Sequence, residues 1–144
     1  MIYFDAAYIV KCYVPEKGHA QVRGLLHRHQ SAVCCAFGRL EFAAAIQRAI
    51  REGRLPETTR STVFSILSRD DRGGVWNWIP LTPHLLETAV HAMRLAPTNP
   101  AIRAADALHL VCAKECGCHH VYTNDRQMLA AAPHFGVQAT NVID

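Results

Sequence analysis

A single carboxylate, Asp106, lies within one of the most apolar stretches of the sequence, AIRAADALHLVCA at residues 101–113. A charged side chain near a protein core is costly unless it is paired or binds a cation. One interpretation is an exposed helix face, because Arg103, Asp106 and His109 recur at a spacing of three, so that Asp106 could pair with Arg103 or His109. The other interpretation is that Asp106 binds a cation together with further acids.

Three more carboxylates are embedded in apolar sequence in the same way. Asp5 ends the first predicted strand, Glu41 lies in the first turn of the helix after the second strand, and Asp125 ends the fourth strand. Capping is an alternative reading, because Asp5 and Asp125 suit helix N-caps and Glu41, three residues after Gly38, suits the N3 position. Capping leaves Asp106 unexplained inside an apolar helix, which favours a shared function for all four acids.

Four converging carboxylates would need a cation between them. At ~5 Å and an effective dielectric constant of ~20, each close pair repels by roughly 3 kcal/mol. A hard divalent cation relieves this repulsion, and a set of oxygen ligands selects Mg²⁺ or Mn²⁺ over zinc. Such a site can activate a water and neutralise the charge that develops on a phosphate, so these residues indicate phosphodiester hydrolysis.

The basic residues are compatible with a polyanionic substrate. The net charge is only +3, but twelve of the fifteen basic residues are arginine, and seven of these fall between residues 39 and 72. Arginine presents a planar fork that suits phosphate and carboxylate oxygens. Arg39, Arg48 and Arg126 are the candidates for contacting such a substrate.

The composition is that of a globular chain, with 50% hydrophobic and 19% charged residues among 144, and predicts one domain over residues 1–144. No apolar run approaches the ~18 residues that a membrane span requires. Asp5 and Lys11 interrupt the only N-terminal candidate for a signal peptide, so we expect a cytoplasmic protein without membrane association.

The six cysteines are expected to be buried small hydrophobes rather than disulfides, since the expected compartment is reducing. In the run AVCCAF, Cys34 and Cys35 should face opposite sides of a strand. The stretch CAKECGCHH holds three cysteines and two histidines, but it lacks the paired spacing of structural zinc sites.

Hydrophobic periodicity and turn residues predict strands that alternate with helices, which is typical of an α/β doubly wound parallel sheet. The predicted strands are residues 1–5, 31–37, 75–81, 119–125 and 137–143. The predicted helices are residues 6–14, 19–30, 38–53, 56–69, 83–96, 101–116 and 126–136. Ligands of such sheets bind beyond the carboxyl ends of the strands, where Asp5 and Asp125 fall.

Four stretches, in this order and at these intervals, resemble the PIN-domain family, specifically the VapC-type ribonuclease toxins of bacterial and archaeal toxin–antitoxin pairs. They are MIYFDAAYIVKCYVPEKG, LEFAAAI, AADALHLVCAKECG and VYTNDRQM. The resemblance covers essentially the whole chain. It implies a three-layer α/β/α fold with a five-stranded parallel sheet in which the first and fourth strands are neighbours.

The resemblance also implies the roles of individual residues. The acidic quartet that binds Mg²⁺ or Mn²⁺ and carries catalysis matches Asp5, Glu41, Asp106 and Asp125. Thr123 matches the hydroxyl residue that helps to hold the metal site, and Asn124 could bind a metal-bound water or a phosphate. His109 matches the helix motif but is not a catalytic residue of the family; it is expected to pack or hydrogen-bond beside Asp106. Ala6 and Ala7 stand where the family usually has a Ser or Thr, which removes one hydroxyl near Asp5 and leaves the acids intact.

The function so implied is a Mg²⁺- or Mn²⁺-dependent endoribonuclease that hydrolyses RNA with an activated water and leaves 5′-phosphate and 3′-hydroxyl ends. The resemblance further implies that the protein is the toxin of a type II pair, that it forms a homodimer and that a VapB-like antitoxin binds it. Apolar residues of the two middle helices are expected in the core, or alternatively in the antitoxin groove: Phe42, Ile46, Val63, Phe64 and Leu67.

The sequence leaves two alternatives to a nuclease. One is a catalytically weak PIN-type module that binds RNA. The other is an aspartyl phosphotransferase with Asp5 as nucleophile, which is disfavoured because Ala7 stands where a second Asp is usual.

Overall fold

The computed structural model describes residues 1–143 and shows a five-stranded parallel sheet with helices on both faces, as the sequence predicted. The elements are β1 (Tyr3–Phe4), α1 (Ala6–Tyr13), α2 (His19–His29), β2 (Ala32–Cys35), α3 (Phe37–Arg51), α4 (Arg60–Arg72), β3 (Trp76–Ile79), α5 (Pro83–Leu95), α6 (Ala104–Glu115), β4 (His120–Tyr122), α7 (Arg126–Ala131) and β5 (Gln138–Thr140). Short 3₁₀ segments at Glu57–Thr59 and Ala132–Phe135 precede α4 and follow α7.

The strand order β3-β2-β1-β4-β5 makes β1 the central strand. Tyr3 pairs with Val33 of β2 on one side and with Val121 of β4 on the other. The prediction that the first and fourth strands are neighbours is therefore confirmed. The chain first adds β2 and β3 on one side of β1 and then β4 and β5 on the other side. The carboxyl ends of β1 and β4 therefore meet where the strand order reverses, which is the usual ligand position of such folds.

The core has one apolar layer on each face of the sheet. Alternation along β1 sends Phe4 into the layer with α1 to α4 and Tyr3 into the layer with α5 to α7. Cys34 and Cys35 face opposite layers, as predicted. Five of the six cysteines are buried, which agrees with their expected role as small hydrophobes.

The apolar residues of the two middle helices lie in the core, where they were expected. Phe42, Ile46, Val63 and Leu67 are buried, and Phe64 packs against them while partly buried. Ile46 and Phe64 also reach the wall of a cleft between α3 and α4, so the core position of these side chains does not exclude a groove there. Within residues 1–143, no helix combines the length and the apolar character that crossing a membrane requires.

Three helix starts differ from the prediction: α4 begins at Arg60 rather than at 56, and the other two concern candidate site residues. α6 begins at Ala104 rather than at 101, because the extended backbone of Arg103 forms its N-cap, and Asp106 therefore lies at N3 in the first turn and not inside an apolar helix. α3 begins at Phe37 after an N-cap at Ala36, so Glu41 lies beyond the first turn and Gly38 is not a cap. The strands are also shorter than predicted.

Candidate active site

Asp5 lies directly after β1 and is almost completely buried, with 6% of its surface exposed. Its side chain caps α1 by accepting a hydrogen bond from the backbone N–H of Tyr8 at 2.8 Å. Its own backbone N–H donates to the carbonyl of Tyr122, which ties it to the end of β4. The capping interpretation of Asp5 is thus correct, and the same carboxylate also faces β4.

Thr123 connects Asp5 to Asp125. Its hydroxyl donates to Asp5 Oδ2 at 2.5 Å and accepts the backbone N–H of Asp125 at 3.0 Å. Thr123 is completely buried, so the hydroxyl has no water to replace either contact. This bond supplies Asp5 with a hydroxyl partner from the residue after β4, although Ala6 and Ala7 offer none from α1.

Asp125 caps α7 through Oδ1, which accepts the backbone N–H groups of Gln127 at 2.8 Å and Met128 at 3.0 Å. Its second oxygen, Oδ2, accepts a hydrogen bond from Arg103 Nη2 at 2.5 Å. The cap therefore fixes the carboxylate and leaves one oxygen directed at a positive charge.

Arg103 bridges Asp106 and Asp125. Its Nε donates to Asp106 Oδ2 at 2.8 Å and its Nη2 to Asp106 Oδ1 at 3.2 Å, while Nη2 also contacts Asp125. The Arg103 backbone N–H reaches Asp106 Oδ2 at 3.3 Å. Pairing of Asp106 with Arg103 is therefore correct, but an exposed helix face is wrong, because only 7% of Asp106 is exposed.

Glu41 is held by a buried histidine. His109 Nε2 lies 2.6 Å from Glu41 Oε2, and because a carboxylate only accepts, Nε2 donates. The Nδ1 atom of His109 lies 2.9 Å from the Tyr3 hydroxyl, which accepts the backbone N–H of Cys35 at 2.9 Å. Residues of β1, β2 and α6 thus fix the orientation of Glu41 on α3. His109 is buried and hydrogen-bonded, as expected, but its partners are Tyr3 and Glu41 and not Asp106.

Gly38 lets α3 approach the sheet closely. A Cβ atom at this position would lie 2.5 Å from Cys34 Sγ and 3.6 Å from His109 Cε1. Any larger residue must therefore displace Cys34, which is buried, or move the helix that carries Glu41.

Burial raises the pKa of Asp5 to about 6, although the hydrogen bonds from Thr123 and Tyr8 act in the opposite direction. The nearby Glu41 raises the pKa of Asp5 slightly further, while His109 lowers it. Burial disfavours the charged form of His109, but its contacts with Cys34 and Glu41 outweigh this, and the pKa of His109 is raised above its usual range. Asp5, Glu41 and His109 are therefore close enough to influence one another electrostatically.

The remaining predicted residues lie at the surface. Asn124, Arg48 and Arg126 are exposed. Arg126 is the first residue of α7, next to Asp125, whereas Arg48 lies near the end of α3. Arg39 forms an ion pair with Asp71 at 3.3 Å and stacks over Trp78, so its guanidinium already has partners within the protein.

The four acids form two groups, three acids in one and Glu41 in the other, and do not surround a single point. Asp106 and Asp125 share a guanidinium, and Asp5 joins Asp125 through Thr123, while Glu41 is held by His109. Within residues 1–143, no three His, Cys, Asp or Glu side chains are gathered closely enough to hold a metal ion together.

The donor chemistry nevertheless fits a hard divalent cation. The four side chains present only carboxylate oxygens, the ligands that such a cation prefers. Two of these carboxylates, Asp106 and Asp125, already share one positive charge, that of Arg103.

Sequence reasoning missed two participants. His109 was assigned no function, although its spacing of three from Asp106 places it on the same side of α6. From the sequence, Arg103 is expected only as a surface partner of Asp106. Its contact with Asp125 joins residues 22 positions apart, so no local sequence pattern indicates it.

Comparison with known proteins agrees with this architecture. The sequence matches the PIN domain family over residues 2–133, which includes all four acids and every strand except β5. No curated protein matches the chain at a significant level. The chain therefore belongs to the PIN domain family, whose members are generally metal-dependent nucleases.

Proposed function

We propose that this protein is a metal-dependent endoribonuclease whose site comprises Asp5, Glu41, Asp106 and Asp125. The observation that carries the proposal is the shared use of one positive group by Asp106 and Asp125, beside a third acid, Asp5, that is linked to Asp125 through Thr123. Carboxylates placed in this way need a cation, and family membership supplies the class of reaction.

The surroundings of each residue indicate the role that it would have in the reaction. Mg²⁺ or Mn²⁺ held by the acids would supply charge neutralisation on the phosphate and an activated water. Asp5, fixed by Thr123 and by the start of α1, offers a carboxylate of constant orientation. Glu41, oriented by His109, is half-buried and suited to orient a water or accept its proton. The exposed Asn124 and Arg126 would contact the RNA backbone.

The toxin role in a type II pair, a VapB-like antitoxin and a cytoplasmic location remain proposals that rest on the resemblance of the motifs. A cleft of about 330 Å³ between α3 and α4 supports an antitoxin contact on that side. Leu40, which is 64% exposed, lies at this cleft one residue before Glu41. An antitoxin segment bound there would reach the site directly.

The proposed homodimer would use the surface between α5 and α6. Leu81, Leu86 and Val90 are each at least 44% exposed there and line an apolar cleft of about 500 Å³. Exposed apolar side chains gathered in this manner are typical of protein–protein contacts. A monomer at micromolar concentration in light scattering would contradict the homodimer.

The nuclease proposal is tested by incubating end-labelled RNA with purified protein in Mg²⁺, Mn²⁺ or EDTA and mapping the product ends. We expect cleavage only with a divalent cation, leaving 5′-phosphate and 3′-hydroxyl ends. Products that carry 2′,3′-cyclic phosphates and persist in EDTA would contradict hydrolysis by this site. Binding of RNA without cleavage, by folded protein with metal bound, would favour the alternative of a catalytically weak RNA-binding module.

A further inference from the structure

Arg103 occupies the centre of the acidic cluster through contacts that engage both partner carboxylates. It donates hydrogen bonds to both carboxylate oxygens of Asp106. On Asp125 it donates to Oδ2, the oxygen that does not cap α7. A divalent cation shared by these two acids would need the same oxygens. The guanidinium and such a cation therefore compete for one position.

The exposure of the three side chains differs in a way that permits exchange. The side chain of Arg103 is 65% exposed, whereas those of Asp106 and Asp125 are 10% and 28% exposed. The arginine side chain can therefore move into solvent without disturbing the packing, while the acids stay fixed by their helix caps. A partly buried acid pair that loses its counter-charge is destabilised, so departure of the arginine favours entry of another cation.

We propose that Arg103 is an internal counter-cation that holds Asp106 and Asp125 in the metal-free protein and is displaced when a divalent cation binds. This inference rests on the proposed function, because it assumes that these two acids take part in a metal site. The guanidinium stands between these two acids, at the position that such a cation would take. Arg103 then sets the metal affinity and is not itself a ligand.

The test is a calorimetric titration of metal-stripped protein with MnCl₂, comparing wild type with Arg103→Gln. Removal of the competitor should tighten Mn²⁺ binding by roughly tenfold or more, since charge-assisted contacts to both acids are lost. Arg126→Gln is the matched control, because it removes the same charge beside Asp125 without removing the bridge, and it should tighten binding by less than about threefold. Arg103→Lys keeps a charge but not the planar fork, and should fall between wild type and Arg103→Gln.

Thermal unfolding gives a second readout that does not depend on activity. In EDTA, Arg103→Gln should unfold at a lower temperature than wild type, because Asp106 loses its partner while buried. Saturating Mn²⁺ should raise the unfolding temperature of Arg103→Gln more than that of wild type.

The results separate this inference from the nuclease proposal. Unchanged or weaker Mn²⁺ binding by Arg103→Gln and Arg103→Lys would overturn the inference, as would an equal gain in Arg126→Gln. If that happens while wild type cleaves RNA with Mn²⁺, the nuclease proposal still stands. Tighter Mn²⁺ binding by Arg103→Gln, with no RNA cleavage by wild type, would uphold the inference and remove the nuclease proposal.

Discussion

Thr123 joins two acids that follow neighbouring strands, because its hydroxyl donates to Asp5 at 2.5 Å while accepting the backbone N–H of Asp125 at 3.0 Å. One buried hydroxyl thereby sets the position of two carboxylates across the β1–β4 junction. A change that removes only this hydroxyl should disturb both acids at once, although it leaves each of them in the sequence.

Thr123→Val keeps the shape of the side chain but removes the hydroxyl. It leaves Asp5 Oδ2 and the Asp125 N–H without this partner, and an unpaired buried polar group costs about 1–3 kcal/mol. We expect the free energy of unfolding, measured with urea, to fall by about that amount, and RNA cleavage to fall with it. Thr123→Ser keeps the hydroxyl and should retain most of the activity; equal loss of activity in both variants would contradict the account.

The pKa of Asp5 predicts how the stability of the metal-free protein changes with pH. Folding raises this pKa from 3.8 to about 6, so the folded state favours the protonated acid. The stabilisation is complete below pH 3.8 and is lost as the pH rises through 6, amounting to at most about 3 kcal/mol.

Asp5→Asn cannot ionise, so its comparison with wild type isolates this effect. Relative to wild type, Asp5→Asn should gain stability between pH 4 and pH 7 in EDTA, as measured by urea unfolding at each pH. A difference between the two proteins that stays constant over this range would show that the pKa of Asp5 is not raised.

The contact between Glu41 and His109 should appear as a coupling energy. Glu41→Ala and His109→Ala each remove the 2.6 Å hydrogen bond between them, and the double variant loses no further contact between the two residues. A double-mutant cycle on unfolding free energies should give a coupling of about 1–3 kcal/mol, as found for hydrogen bonds to charged groups. Additive effects would mean that His109 does not position Glu41.

Gly38→Ala tests the close packing beneath Glu41. The added methyl would lie 2.5 Å from Cys34 Sγ, and overpacking of this kind costs about 1–3 kcal/mol. We expect lower stability and slower RNA cleavage, because α3 moves together with Glu41. Adding Cys34→Ala removes the sulfur and should recover part of both losses; a double variant no better than Gly38→Ala would place the strain elsewhere.

The sequence predicts the order of elements, because buried strands and amphipathic helices carry strong periodic patterns. That β1 and β4 are neighbours is implied only by the resemblance to the PIN-domain family. The sequence does not predict the start of α6, because the extended conformation of Arg103 and the capping role of Asp106 depend on contacts with each other. Tyr3 illustrates the same difficulty. The sequence indicates only that Tyr3 is an apolar strand residue. In the structure its hydroxyl bonds both Cys35 of β2 and His109, which lies 106 positions away from Tyr3.

The central claim is that the acids act as one catalytic site, and Asp106→Asn tests it most directly. The variant keeps the size of the side chain but loses the charge, and its cleavage of end-labelled RNA with Mn²⁺ should fall at least about a hundredfold below wild type. Glu115→Gln makes the equivalent change at the other end of α6 and serves as the matched control, with a rate near that of wild type. Cleavage by Asp106→Asn at the rate of Glu115→Gln would contradict the account.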